Sequence, residues 1–148
     1  MAERLRAAPP GRSTRRRRSV PALHRYLPHR GGTRLLGWAY AHAGHVERAL
    51  AECKRAIEVD PDFGNPYNDI GAYLIEKGAL DEAVLWLERA KSAPRYEPRH
   101  FPYLNLGRVY LAKGDPSRAL REFSEALKIH PHDALAEGAA RLIRLQMN

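Results

Sequence analysis

Few residues in this 148-residue chain have types and spacings suited to covalent chemistry. Gly32 to Gly37 has the glycine spacing of a phosphate-binding loop, yet Trp38-Ala39 stands where that loop needs a lysine and a hydroxyl residue. The metalloprotease pattern HExxH is absent. His42 and His45 lie three apart, and His130 and His132 flank Pro131, but neither pair has a nearby third residue of metal-ligand type. Turn or surface histidines are the expected reading, with no metal. Cys53, beside Ala49, Ala56 and Ile57 on the inward side of a helical pattern, reads as a small buried side chain rather than a nucleophile. One cysteine also excludes an internal disulfide framework and a cysteine-based zinc cage. Neither an enzyme nor a cofactor is expected.

The other chemically distinctive group is cationic. Residues 1–30 hold nine arginines and one acid, Glu3, a net of +8 that equals the formal charge of the whole chain. The remaining residues are therefore balanced, and basicity is a property of this arm alone. Pro9, Pro10, Pro21 and Pro28 interrupt it, and it has too few large apolar side chains to offset about 1–2 kcal/mol of backbone entropy per residue. A disordered arm over 1–32 is expected. Arg15, Arg16, Arg17 and Arg18 could serve as a nuclear address, a phosphate-binding tail or part of a transit peptide. The segment could equally be a solvated tail or an upstream extension from a wrongly chosen start. Nucleic acid is expected as a partner only through these arginines, bound weakly and with strong salt dependence. No run approaches the ~20 apolar residues of a membrane span, and no secretory apolar core occurs in the first 30 residues. The expectation is a soluble, cytoplasmic protein without a membrane partner, with nuclear or organellar targeting by the arm left open.

The elements beyond the arm repeat. Gly37, Gly71 and Gly107 are spaced by 34 and 36 residues, and a common pattern surrounds each. The first copy reads Leu36-Gly37, Tyr40, Gly44, Ala49, Ala56, Pro61. The second reads Tyr67, Ile70-Gly71, Leu74, Gly78, Ala83, Ala90. The third reads Tyr103, Leu106-Gly107, Tyr110, Gly114, Ala119, Phe123, Ala126, Pro131. Tyr103, Leu106, Gly107 and Tyr110 share one helical face, Gly114-Asp115-Pro116 ends that helix and starts another, and Ala119, Leu120, Phe123, Ala126 and Leu127 form the second helix's inner side. Each copy thus predicts two helices joined by a tight turn, with small residues where backbones approach and rings filling the space beside them. The wider second spacing and Pro94 place two extra residues in the connection before the third copy. Residues 133–146 predict a capping helix with Leu135, Ala139, Leu142 and Ile143 inward.

This period and its small contact residues resemble the tetratricopeptide repeat family over about two-thirds of the chain. Thr33 and Cys53 depart from the aromatic residues found at the corresponding positions. The resemblance implies an all-α, right-handed solenoid of three helix pairs, about 33–63, 64–99 and 100–131, plus a capping helix over 132–146. It also implies that the first helices line a concave groove for a peptide or extended protein segment. Carried over copy by copy, the groove residues would be Arg34, Trp38 and His42, then Asn65, Asn68, Asp69, Ala72 and Glu76, then Phe101, Asn105, Arg108 and Ala112. Some relatives grip the acidic tails of chaperones with a Lys, Asn and Arg clamp. Here Trp38, Asp69 and Phe101 stand at clamp positions and Asp69 would repel a carboxylate, so that ligand is not expected. Trp86 corresponds to Glu52 and Glu122, which should face solvent. The connection 94–98, with Tyr96, is expected to cover it, the alternative being a second contact patch. The functional expectation is a non-enzymatic interaction module or scaffold. The alternative is a nucleic-acid-associated protein acting through its arm.

Overall fold

The computed structural model describes residues 44–148. The basic arm and Arg34, Gly37, Trp38 and His42 lie outside the described residues. Among the described residues six helices follow in order: α1 (Val46–Val59), α2 (Asn65–Glu76), α3 (Leu80–Ser92), α4 (Phe101–Ala112), α5 (Pro116–Ile129) and α6 (Ala134–Met147). The described residues contain no strand, only an isolated bridge between Phe63 and Arg95. The fold is an all-α solenoid in which each helix packs on its neighbour in sequence, and α2 also meets α4.

The α2–α3 and α4–α5 turns are built alike. Gly78 and Gly114 take φ of 77° and 74°, a left-handed conformation in which a Cβ would be strained. In one turn the Gly78 and Ala79 amides donate to Ile75 and Leu74 carbonyls at 3.0 and 2.9 Å. In the other, Gly114 and Asp115 donate to Leu111 and Tyr110 at 3.0 and 2.8 Å. These bonds occupy carbonyls that a helix end leaves open. Asp115 then caps α5, accepting from the Arg118 amide at 2.9 Å, with Pro116 in the first turn. Lys77 and Lys113, which end α2 and α4, reach back to Glu47 and Asp81, one repeat apart.

Close approach within each hairpin depends on the repeating glycine. A Cβ on Gly71 would stand 2.5 Å from Leu87 Cγ, and one on Gly107 would stand 2.6 Å from Phe123 Cζ. Leu87 and Phe123 therefore fill the space the glycines leave, and both are buried. One apolar cluster joins α1 to α4 through Ala49, Leu50, Cys53, Ile70, Leu74 and Leu87 among others. A second, around Phe123, joins α4, α5 and α6. The extra length before α4 forms the 93–100 connection. Its Arg95 exchanges backbone bonds with Asp62 and Gly64 at 3.1 and 2.7 Å, and its guanidinium pairs with buried Asp60 at 2.5 Å. Gly64 is a further tight site: a Cβ there would meet those of Ala93 and Tyr96 at 2.8 and 2.9 Å.

Two expectations are corrected. The capping helix buries Ala136, Ala140 and Ile143, whereas Leu135 and Leu142 are 50 % and 62 % exposed. The small alanines let α6 lie close on α5, and that close contact turns the leucines out. Glu52 and Glu122 do not face solvent: their side chains are only 13 % and 16 % exposed. Trp86, at the same repeat position, is half-buried against the α1–α4 core. Its ring lies 6.0 Å from Tyr67 with the Arg89 guanidinium 5.1 Å above it, while Tyr96 is buried against Gly64.

Candidate ligand-binding face

The expected groove residues on α2 and α4 divide into those that hold the face together and those it presents. Asn65, in the first turn of α2, is buried, and its Nδ2 donates to the Glu97 carbonyl at 2.7 Å. It anchors the 93–100 connection. Asn68, one turn later, is also buried, and its Oδ1 accepts from Asn105 Nδ2 at 2.9 Å across the α2–α4 seam. Asn105 Oδ1 in turn accepts from Arg108 Nη1 at 3.2 Å. The result is an amide–amide–guanidinium row running from the interior to the surface, with half-buried Asn105 between buried Asn68 and exposed Arg108. Each amide in the row is oriented by its neighbour, so a ligand meeting Asn105 and Arg108 finds polar groups already placed. Phe101 opens α4 with its ring 41 % exposed, its position set by an edge contact with His100 at 4.8 Å and 70°. Asp69 is half-buried on α2, and Glu76 is exposed at that helix's end. Ala72 is half-buried and Ala112 exposed. Leu111, 42 % exposed near the end of α4, adds apolar surface that the repeat alignment did not single out.

The second helices carry a different chemistry. Lys91 on α3 bridges to Glu122 on α5 at 2.8 Å and to Glu88 at 3.2 Å, with its Nζ 4.5 Å from the Tyr103 ring centroid. Burial opposes the charge on Lys91, but the two glutamates outweigh it and hold the ammonium above its ordinary range. Two open depressions flank this lock, of about 450 Å³ between Tyr67, Glu88 and Pro94 and about 510 Å³ between Leu120, Arg121 and Glu125.

The third set of polar residues lies at the far seam. His130 ends α5 and stacks on His100 with ring centroids 4.6 Å apart and 20° between planes. His100 precedes α4, and its Nε2 lies 3.6 Å from Asp133 Oδ2. Burial and the neighbouring His130 lower the His100 pKa, while Asp133 works in the opposite direction. The expectation for His130 and His132 passed over Asp133, three residues after His130, and His100 lies 30 residues away along the chain. The fold brings them together.

Comparison with known proteins agrees with this architecture. One tetratricopeptide repeat family model matches residues 34–98 and another matches 100–133. No match is found among curated proteins. The Arabidopsis OM64 TPR domain is similar in structure, at 18 % identity and a TM-score of 0.73, covering 80 % of this chain and 97 % of that one. The N-terminal domain of stress-induced protein-1 (STI-1) from C. elegans is 22 % identical with a TM-score of 0.67, over 82 % of this chain and 98 % of that one. The first TPR of Spaghetti (RPAP3), bound to the HSP90 peptide SRMEEVD, is 15 % identical with a TM-score of 0.73, over 81 % and 94 %. At these identities the similarity speaks to the fold.

Proposed function

The chain belongs to the tetratricopeptide repeat family, and from that premise we propose that it is a non-enzymatic interaction module holding a peptide or extended protein segment along α2 and α4. The observation that carries this reading is the Asn68–Asn105–Arg108 row beside the exposed Phe101 ring. An extended segment needs backbone partners at fixed positions and an apolar anchor, and these residues offer both. Asn65 and Asn68 act from behind, Asn65 by fixing the connection and Asn68 by orienting Asn105. Asp69 and Glu76 bias the face against acidic segments, so the ligand need not resemble the HSP90 peptide bound by Spaghetti. Arg34, Trp38 and His42 of the first copy would extend the same face.

Titration calorimetry of the full chain against a library of unstructured peptides tests this. Phe101→Ala and Asn105→Ala each weaken the selected peptide by roughly tenfold or more, about 1.4 kcal/mol. Indifference to both removes the face from the account. The nine arginines of the arm support a second reading, a salt-sensitive association with nucleic acid. Deleting residues 1–32 abolishes that association and leaves peptide binding intact if the groove is the functional surface.

A further inference from the structure

We propose that His100, His130 and Asp133 bind one divalent transition-metal ion of the zinc, nickel or copper class at the seam between the last helix pair and the terminal helix. One ligand-capable atom from each of the three residues falls within 4.8 Å of the others. The three residues come from separate segments: the end of the 93–100 connection, the C-terminus of α5 and the residue that caps α6. An ion held there would tie α4, α5 and α6 together.

The parts differ in how ready they are. His100 is 7 % exposed, with its ring fixed between Phe101 and His130. Asp133 Oδ1 is committed to the Ala136 amide at 2.8 Å, which leaves Oδ2 facing His100 Nε2 at 3.6 Å. That separation is too long for a good hydrogen bond. It is close to the ~3.3 Å between two ligand atoms that sit about 2.0–2.1 Å from one tetrahedral ion. His130 is the exposed member, and a side-chain rotation there supplies the remaining closure. Two imidazoles and a single carboxylate suit zinc, nickel or copper rather than magnesium or calcium, which take mostly oxygen ligands. Three protein ligands leave a fourth position for water or for a donor from a bound partner.

Titrating the tag-free full chain with zinc, nickel and cobalt chlorides tests the site by calorimetry and by the visible absorption of bound cobalt. The expected result is saturable uptake of one ion per chain together with a higher melting temperature. His130→Ala, on an exposed side chain, and Asp133→Asn, which retains the capping oxygen, each weaken uptake by at least roughly tenfold. His132→Ala leaves it unchanged. Absence of saturable uptake overturns the proposal. So does uptake indifferent to both His130→Ala and Asp133→Asn, which would place the ion on other histidines. Peptide binding by the α2–α4 face stands or falls separately.

Discussion

The two sides of the stack use the same repeat differently. On the side of α1, α3 and α5, one repeat position carries Glu52, Trp86 and Glu122: Trp86 packs on the α1–α4 core, Glu122 pairs with Lys91 of α3, and Glu52, largely buried, pairs with Arg55 of its own helix at 3.3 Å. Lys91 closes the lock by pairing with Glu122 at 2.8 Å, its charge sustained by two acids. On the side of α2 and α4, the polar atoms bond outward, from buried Asn68 through Asn105 to Arg108 in solvent, with exposed Phe101 one turn before Asn105 on α4. One side spends its charges on joining successive hairpins, and the other keeps an ordered but open array. On the function proposed above, the exposure of a polar row, rather than its mere presence, is what would mark the side a partner uses.

Variants can break this contrast in graded steps. The largest effect on stability is expected inside a hairpin. Gly107→Leu drives a side chain into Phe123 and costs roughly 3 kcal/mol of overpacking, offset by about 1 kcal/mol of better helix propensity, as read by chemical denaturation. Next comes the lock between hairpins. Glu122→Ala leaves half-buried Lys91 with only Glu88, an expected loss of about 1–2 kcal/mol between the values for exposed and buried pairs. A melting temperature unchanged in Glu122→Ala would make that side as passive as ordinary surface. The smallest effect is a pH dependence at the far seam. Because the folded chain holds the His100 pKa below its ordinary 6.5, the unfolded chain binds protons more readily. The associated stability is present above pH 6.5 and is lost as the pH falls through the lowered value. In chelator-containing buffer, melting temperatures should decline from pH 7.5 to 5, and less steeply in His130→Ala. A flat profile would show that the burial of His100 carries no such coupling.

Much of the fold was legible because the repeat writes it in small residues. Gly71 and Leu87 are 16 residues apart, as are Gly107 and Phe123, and each glycine receives the larger side chain of its own hairpin. The turn glycines and the longer connection before α4 were equally visible. The orientation of the capping helix was not, since residues 134–147 offer two adjacent apolar faces and hydrophobicity alone favours the leucines. Packing against α5 selects Ala136, Ala140 and Ile143 instead. In the candidate face, helical spacing found Asn68, Asn105 and Arg108 but could not say that Asn68 would be buried or that the three would bond in series. The roles of Asn65 and Gly64 depend on where the 93–100 connection folds back, which no local pattern encodes. His130 and Asp133 are three residues apart and share one turn, in which the Asp133 amide donates to the His130 carbonyl at 3.2 Å, so that pair was open to a local reading; His100 joins them only through the stacking of α4, α5 and α6.

The decisive measurement compares charge reversals on the two sides of the full chain. With a peptide selected for binding, Arg108→Glu on α4 and Arg121→Glu on α5, both on exposed side chains, are titrated in parallel by calorimetry. The account predicts that Arg108→Glu weakens the peptide roughly tenfold or more while Arg121→Glu binds as the unaltered chain does. Loss of binding in Arg121→Glu with Arg108→Glu unaffected would assign the partner to the other side of the stack and contradict the proposal.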